Sequence, residues 1–206
     1  FVIIIVVLGA LLEKTGASGV LMDVAVSMTR KSRGGPAKAA VVGSSLMGMI
    51  SGTAVANVLT TGTISIPLMK RAGYKPSVAG AVEAVASTGG QLMPPIMGAA
   101  AFLMADIMEV PYLEITKSAL LPAILFYIAV FWAVHLEALK AGLKPLGNFE
   151  VPDVVDSLRN NGHVLLAIPV FVGALVSGYS VMYSSLAGIV CGLGLSLLKR
   201  SSRMNP

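Results

Sequence analysis

Two polar interruptions within otherwise apolar stretches constrain this chain more than any other feature. The first is SGTAVANVLTTG at 51–62; the second lies at 88–95, where Gly89-Gly90 and Pro94-Pro95 break an apolar helix. Irregular backbone in such surroundings must find partners for its amides and carbonyls inside the protein or around a wet cavity. Composition identifies the surroundings as a membrane. Of 206 residues, 55% are hydrophobic and 12% charged, about half the charge of a soluble domain. Too much apolar surface is present for disorder. A single cysteine, Cys191, excludes an intrachain disulfide framework. Aromatic residues at 6% leave little for nucleobase stacking, and the net charge of +5 falls in clusters between apolar segments. A lipid bilayer, rather than nucleic acid, is the expected partner. The expected fold class is an all-α polytopic membrane protein.

The apolar run FVIIIVVLGALL opens the chain at full hydrophobicity, and KRSSRMNP at the other end has the composition of a loop. The chain therefore reads as a piece of a larger permease-like protein. Residues 1–35 are expected to hold the end of a transmembrane helix and a short connecting helix at 17–29. Residues 36–110 hold a hairpin and a broken helix. In the hairpin, a helix at 36–50 spans only about 22 Å, short of the roughly 30 Å hydrocarbon core. An irregular 51–62 and a second short helix at 63–69 follow it. Arg30, Lys31 and Arg33 precede the hairpin and Lys70, Arg71 and Lys75 follow it. Basic loops favour the cytoplasmic side, which predicts that 36–69 is re-entrant. Helix 76–90 breaks and resumes through IMGAAAFLMAD. Residues 111–140 carry a transmembrane helix at 118–138, and 141–161 form a polar cytoplasmic loop. The last segment, 162–206, holds helices at 163–176 and 181–198 and a basic tail with Lys199, Arg200 and Arg203.

Broken helices that meet inside a membrane offer helix-end dipoles and freed carbonyls that hold small ions. Glu83 is the one carboxylate well inside an apolar helix, about 12 Å beyond Lys75. Intramembrane acids are functional candidates, so Glu83 is a possible proton or cation coupling residue; the alternative is a hydrogen bond to a neighbour such as Ser87. Asp106, Glu137, His135 and His163 sit near helix ends. No His, Cys or acid cluster has metal-ligand spacing and no phosphate-cradling loop occurs, so a transition metal and ATP-driven chemistry find no support. Two other classes compete with a carrier. One is a channel with a re-entrant filter; the other is an intramembrane serine protease using Ser18 and His135.

The run GMISGTAVANVLTTGTISIPLMKRAGYKPSVAGAVEAVASTGGQLMPPIMGAAAFLMAD carries SGxxxAN, IPxMxxxGY and GGxxMPP in order. This compound pattern resembles the large permease subunit of tripartite ATP-independent periplasmic (TRAP) transporters, the DctM-like proteins, and its STGGQLMPP form is most similar to the fused permeases that serve TAXI-type binding proteins. The resemblance covers residues 1–135, is strongest over 43–110 and is loose beyond 140. It implies about one inverted repeat of an elevator-type secondary transporter in a bacterial or archaeal inner membrane. Such a transporter is a symporter rather than an enzyme, and has no cofactor besides a coupling ion, Na⁺ or H⁺. It imports C4-dicarboxylates or related organic acids delivered by a periplasmic binding protein, with a small membrane subunit, separate or fused. By the same likeness, a cation site would use Asn57 with backbone carbonyls of Gly90, Leu92 and Pro95, and Ser51 and Thr53 beside it. Ala54 stands where many members have a hydroxyl.

Overall fold

A computed structural model describes residues 2–143 and 154–198. Within them the chain is helical, in ten α-helices: α1 Val2–Lys14, α2 Ala17–Thr29, α3 Gly35–Ser51, α4 Ala54–Arg71, α5 Pro76–Gly89, α6 Ala99–Ile107, α7 Tyr112–Lys140, α8 Val154–Asn161, α9 Ala167–Val176 and α10 Val181–Leu198. Residues 144–153 of the expected 141–161 loop, Lys144 among them, and the basic tail with Lys199, Arg200 and Arg203 lie outside the described residues.

Helices α3 and α4 form a helical hairpin. Pro36 sits in the first turn of α3, where its missing N–H costs nothing. The helix stops at Gly52, which takes φ 62 and returns its N–H to the Gly48 carbonyl, the left-handed termination that glycine favours. One residue later the Thr53 side chain accepts from the Ala56 N–H at 3.3 Å and caps α4. The arms pack along each other, and their far ends meet where the Tyr74 hydroxyl donates to the Gly34 carbonyl at 3.5 Å. Both basic flanks therefore lie at one end of the hairpin.

The expected irregular stretch at 51–62 is corrected to a two-residue turn. Helix α4 begins at Ala54, not at 63. Its threonine hydroxyls lie over the preceding helical turn, Thr60 2.8 Å from the Ala56 carbonyl and Thr61 2.7 Å from the Asn57 carbonyl, and also meet Glu13 of α1 and Glu83 of α5. Four other boundaries move, one of them that of α9, which starts at Ala167 rather than at 163 because a 3₁₀ turn covers Gly162–Leu166. The helix after the second break starts at Ala99 rather than at 96. Helix α7 starts at Tyr112, not 118, directly after Pro111. Part of the expected 141–161 loop is the short helix α8. The second break itself stands where expected: α5 ends at Gly89, a 3₁₀ turn covers Gly90–Leu92, and a turn with a cis Pro94-Pro95 bond and a left-handed Met97 leads to α6.

Helix α7 is long and apolar enough to cross a membrane alone, and α1 with α2, bent by 66°, passes the same test as a pair. Two apolar cores organise the rest. One joins Leu8 and Leu12 of α1 to Ile96, Phe102 and Phe171; the other joins Ala40 of α3 to Met69, Ala86 and Tyr127. Helices α3, α4 and α5 all contribute to the second core, and Ile50 near the end of α3 joins the first, together with Ile96 and Met97 of the second break.

Candidate functional site

Gly52 at the hairpin tip is pressed against the second break, since a β-carbon there would lie 2.4 Å from the Met97 carbonyl oxygen. A small cavity of about 40 Å³ opens beside it, lined by Ser51, Thr53, Ile96, Met97 and Phe102 among others. Ser51 is buried and donates weakly to the Thr53 carbonyl at 3.4 Å. One turn into α4, Asn57 is fully buried. Its Nδ2 donates to the Ser44 carbonyl of α3 at 2.8 Å, which directs Oδ1 to the opposite side of the amide.

Gly90 is what Asn57 meets from the broken helix. A β-carbon on Gly90 would stand 2.9 Å from Asn57 Nδ2 and 2.7 Å from the Gly48 Cα. Two glycines thus let α3 and the 3₁₀ turn touch backbone to backbone, as small residues do at close helix crossings. The Pro95 carbonyl accepts from the Tyr112 hydroxyl at 3.0 Å, and the Leu92 side chain is half exposed. Asn57 and Gly90 are brought together, Ser51 and Thr53 sit at the tip beside them, and Pro95 is tied to α7.

Glu83 is also fully buried, but it does not stand alone. Ser44 of α3 donates to Oε1 at 3.1 Å and Ser87 of α5 at 3.2 Å. Thr61 of α4 also bonds Oε1, and Ser65 of α4 bonds Oε2. Four hydroxyls from three helices therefore converge on the lone pairs of one carboxyl group. Ser44 and Thr61, themselves 3.2 Å apart, join this cluster to Asn57. Of these partners only Ser87 was legible in sequence, because it lies one helical turn from Glu83. Ser44 and Ser65 are missed, being 39 and 18 residues away. Their one signal is a hydroxyl in an apolar helix.

The remaining sequence candidates lie elsewhere. Asp106 is exposed near the end of α6. His135 packs edge-on against Trp132, 5.7 Å between ring centroids, and its buried Nδ1 has no hydrogen-bond partner among the described residues. No hydrogen bond joins Ser18 to His135 among the described residues, so the protease pair is not assembled. Among the described residues no group of His, Cys, Asp and Glu could hold a metal ion.

A family model described as the DctM component of the tripartite ATP-independent periplasmic transporter matches residues 1–205. The chain belongs to the DctM family. The match runs well past the point near 140 where the sequence resemblance becomes loose. The C4-dicarboxylate TRAP transporter large permease protein DctM of Pseudomonas aeruginosa is 27% identical over 170 residues, 82% of this chain and 39% of that protein. A putative TRAP transporter large permease protein of Haemophilus influenzae is 22% identical over 184 residues, 88% of this chain and 42% of that protein. An uncharacterized protein, y4mL, of Sinorhizobium fredii is 32% identical over 119 residues, 56% of this chain and 28% of its own length. This DctM-family chain thus spans less than half the length of these relatives. Membership is in a permease family, not an enzyme class.

Proposed function

We propose that this DctM-family chain supplies the hairpin and broken helix of a cation-coupled secondary transporter in the inner membrane. The transporter imports organic acids, with C4-dicarboxylates and related carboxylates as the substrate class, received from a periplasmic binding protein of the TAXI type. A small membrane subunit, separate or fused, completes the complex, and the hairpin and broken helix move together as an elevator. Na⁺ is the coupling ion in this reading.

The observation that carries it is the Asn57 amide, buried between the hairpin arm and Gly90 at the break in α5. Its Nδ2 is spent on the Ser44 carbonyl, which leaves Oδ1 as a neutral oxygen ligand. Hard cations take oxygen ligands, and a site without fixed charge can release its ion again. The family likeness of Asn57, Gly90, Leu92 and Pro95, with Ser51 and Thr53 alongside, supports the same reading. Pro95 could serve through its second carbonyl lone pair while Tyr112 holds the first. Glu83 stands in reserve as a proton or cation coupling residue.

Replacing Asn57 by Ala in the complete transporter is the test. Sodium half-saturation for uptake is expected to rise at least tenfold, with the order of preferred substrates unchanged. Unaltered half-saturation for both sodium and protons would remove the ion assignment.

A further inference from the structure

The Thr61 hydroxyl has one proton and faces several acceptors. The Asn57 main-chain carbonyl lies 2.7 Å away, Asn57 Oδ1 3.4 Å away, and Glu83 Oε1 is in direct hydrogen-bond contact. A single proton satisfies one of them at a time. Of the three, the carboxyl oxygen is the strongest acceptor whenever Glu83 is ionised, because charge-assisted hydrogen bonds are about twice as strong as neutral ones. Glu83 therefore competes with Asn57 for the Thr61 proton.

The rest of the cluster strengthens Glu83 in that competition. Oε1 also receives Ser44 and Ser87, and Oε2 receives Ser65. These bonds fix the carboxyl plane from three helices, so Oε1 cannot swing away from Thr61. The hydroxyls lie at hydrogen-bond distance from the carboxyl oxygens, so the cluster closes on itself instead of spreading around an ion of its own. Asn57 is restrained from its other side by the Ser44 carbonyl and by Gly90. The remaining freedom in the pair is where the Thr61 proton points. Turned toward Glu83, it leaves Asn57 Oδ1 uncapped. Turned toward Asn57, it is shared between the main-chain carbonyl at 2.7 Å and Oδ1 at 3.4 Å, and so partly occupies the oxygen a cation needs.

We infer that Glu83 is a positioning residue that holds the Thr61 hydroxyl proton and so keeps Asn57 Oδ1 open for the coupling cation. This rests on the reading of Asn57 as a cation ligand. Glutamine at position 83 presents a weaker, neutral acceptor and an amide N–H₂ that donates to neighbouring hydroxyl oxygens. The Thr61 proton then turns to the two Asn57 oxygens, Oδ1 among them. Removing that hydroxyl altogether, with valine, uncaps Oδ1 again. A carboxylate that merely held the helices together would behave in the opposite way, since deleting a second polar group from a damaged cluster adds to the damage.

The experiment titrates the purified complete transporter with sodium chloride, at constant ionic strength made up with choline chloride, and reads the apparent sodium Kd from the rise in Tm. Glu83→Gln is expected to weaken sodium binding about tenfold. The double variant Glu83→Gln, Thr61→Val is expected to return to within about threefold of wild type. Unchanged binding in Glu83→Gln, or a double variant no tighter than Glu83→Gln, overturns the inference. If Glu83→Gln cannot be purified, Thr61→Val alone decides: it should bind sodium as tightly as wild type, and a loss of threefold or more overturns the inference. Asn57→Ala in the same assay separates the two levels. Sodium binding that survives Asn57→Ala, or a wild-type Tm that ignores sodium, removes the ion site and this inference together. Binding lost in Asn57→Ala but not rescued in the double variant removes only the role of Glu83.

Discussion

Glycine 48 shows how much of the site depends on the absence of a single atom. A β-carbon there would stand 2.2 Å from the Gly90 Cα and 3.2 Å from its carbonyl oxygen, and neither neighbour is a side chain that can rotate away. Gly48→Ala must therefore push α3 off the 3₁₀ turn, at a cost of about 1–3 kcal/mol. Gly80 provides the control, since it lies inside α5 with nothing within 4 Å of its would-be β-carbon. Gly80→Ala should be neutral or stabilising by about 1 kcal/mol, the helix preference of alanine. Thermal unfolding of the two variants in the complete transporter checks this pair. Equal Tm values would mean that the Gly48–Gly90 contact carries no weight.

Among the elements, the second break depends on a helix outside it. The backbone between α5 and α6 keeps few hydrogen bonds of its own, chiefly Met93 N–H to the Gly90 carbonyl at 3.1 Å and Gly98 N–H to the Gln91 carbonyl at 2.8 Å. Tyr112, at the start of α7, adds its hydroxyl to the carbonyls of Pro95 and Ile96 and stacks on Phe102 of α6 at 4.4 Å. Tyr112→Phe keeps the ring and deletes the hydroxyl. One net hydrogen bond is worth about 1 kcal/mol, so amide exchange at Met93 and Gly98 should quicken about fivefold. Exchange in the middle of α7 should not change. Uniform acceleration across α7 would instead mean that the hydroxyl stabilises the helix rather than the break.

For the molecule as a whole, the hairpin places its two basic flanks together. Tyr74 after α4 reaches Gly34 before α3, and a β-carbon on Gly34 would also lie 2.5 Å from the Ala138 side chain near the end of α7. Three chain segments therefore end at one face. Arms of 17 and 18 residues are about 25–27 Å long, which lets the tip reach deep into a bilayer and return. Cysteines placed singly at Arg33 and Lys75, in a Cys191→Ser background, should label from the same, cytoplasmic side. Labelling from opposite sides would mean that the hairpin spans the membrane.

Periodicity and punctuation alone determined the helical class, the exact extents of α2 and α10, and the two breaks near Gly52 and Gly89–Pro95. Glycine, proline and hydrophobic run length act on the residues that carry them, so their effects are local and readable. The same local logic misjudged 51–62, because threonines that look like loop residues can return their hydroxyls to the preceding helical turn. Only the tertiary structure decided what surrounds Asn57 and Glu83. Ser44, Ser65 and Gly90 reach them from elsewhere in sequence through helix packing, and nothing in the spacing of one helix encodes which face of another will meet it.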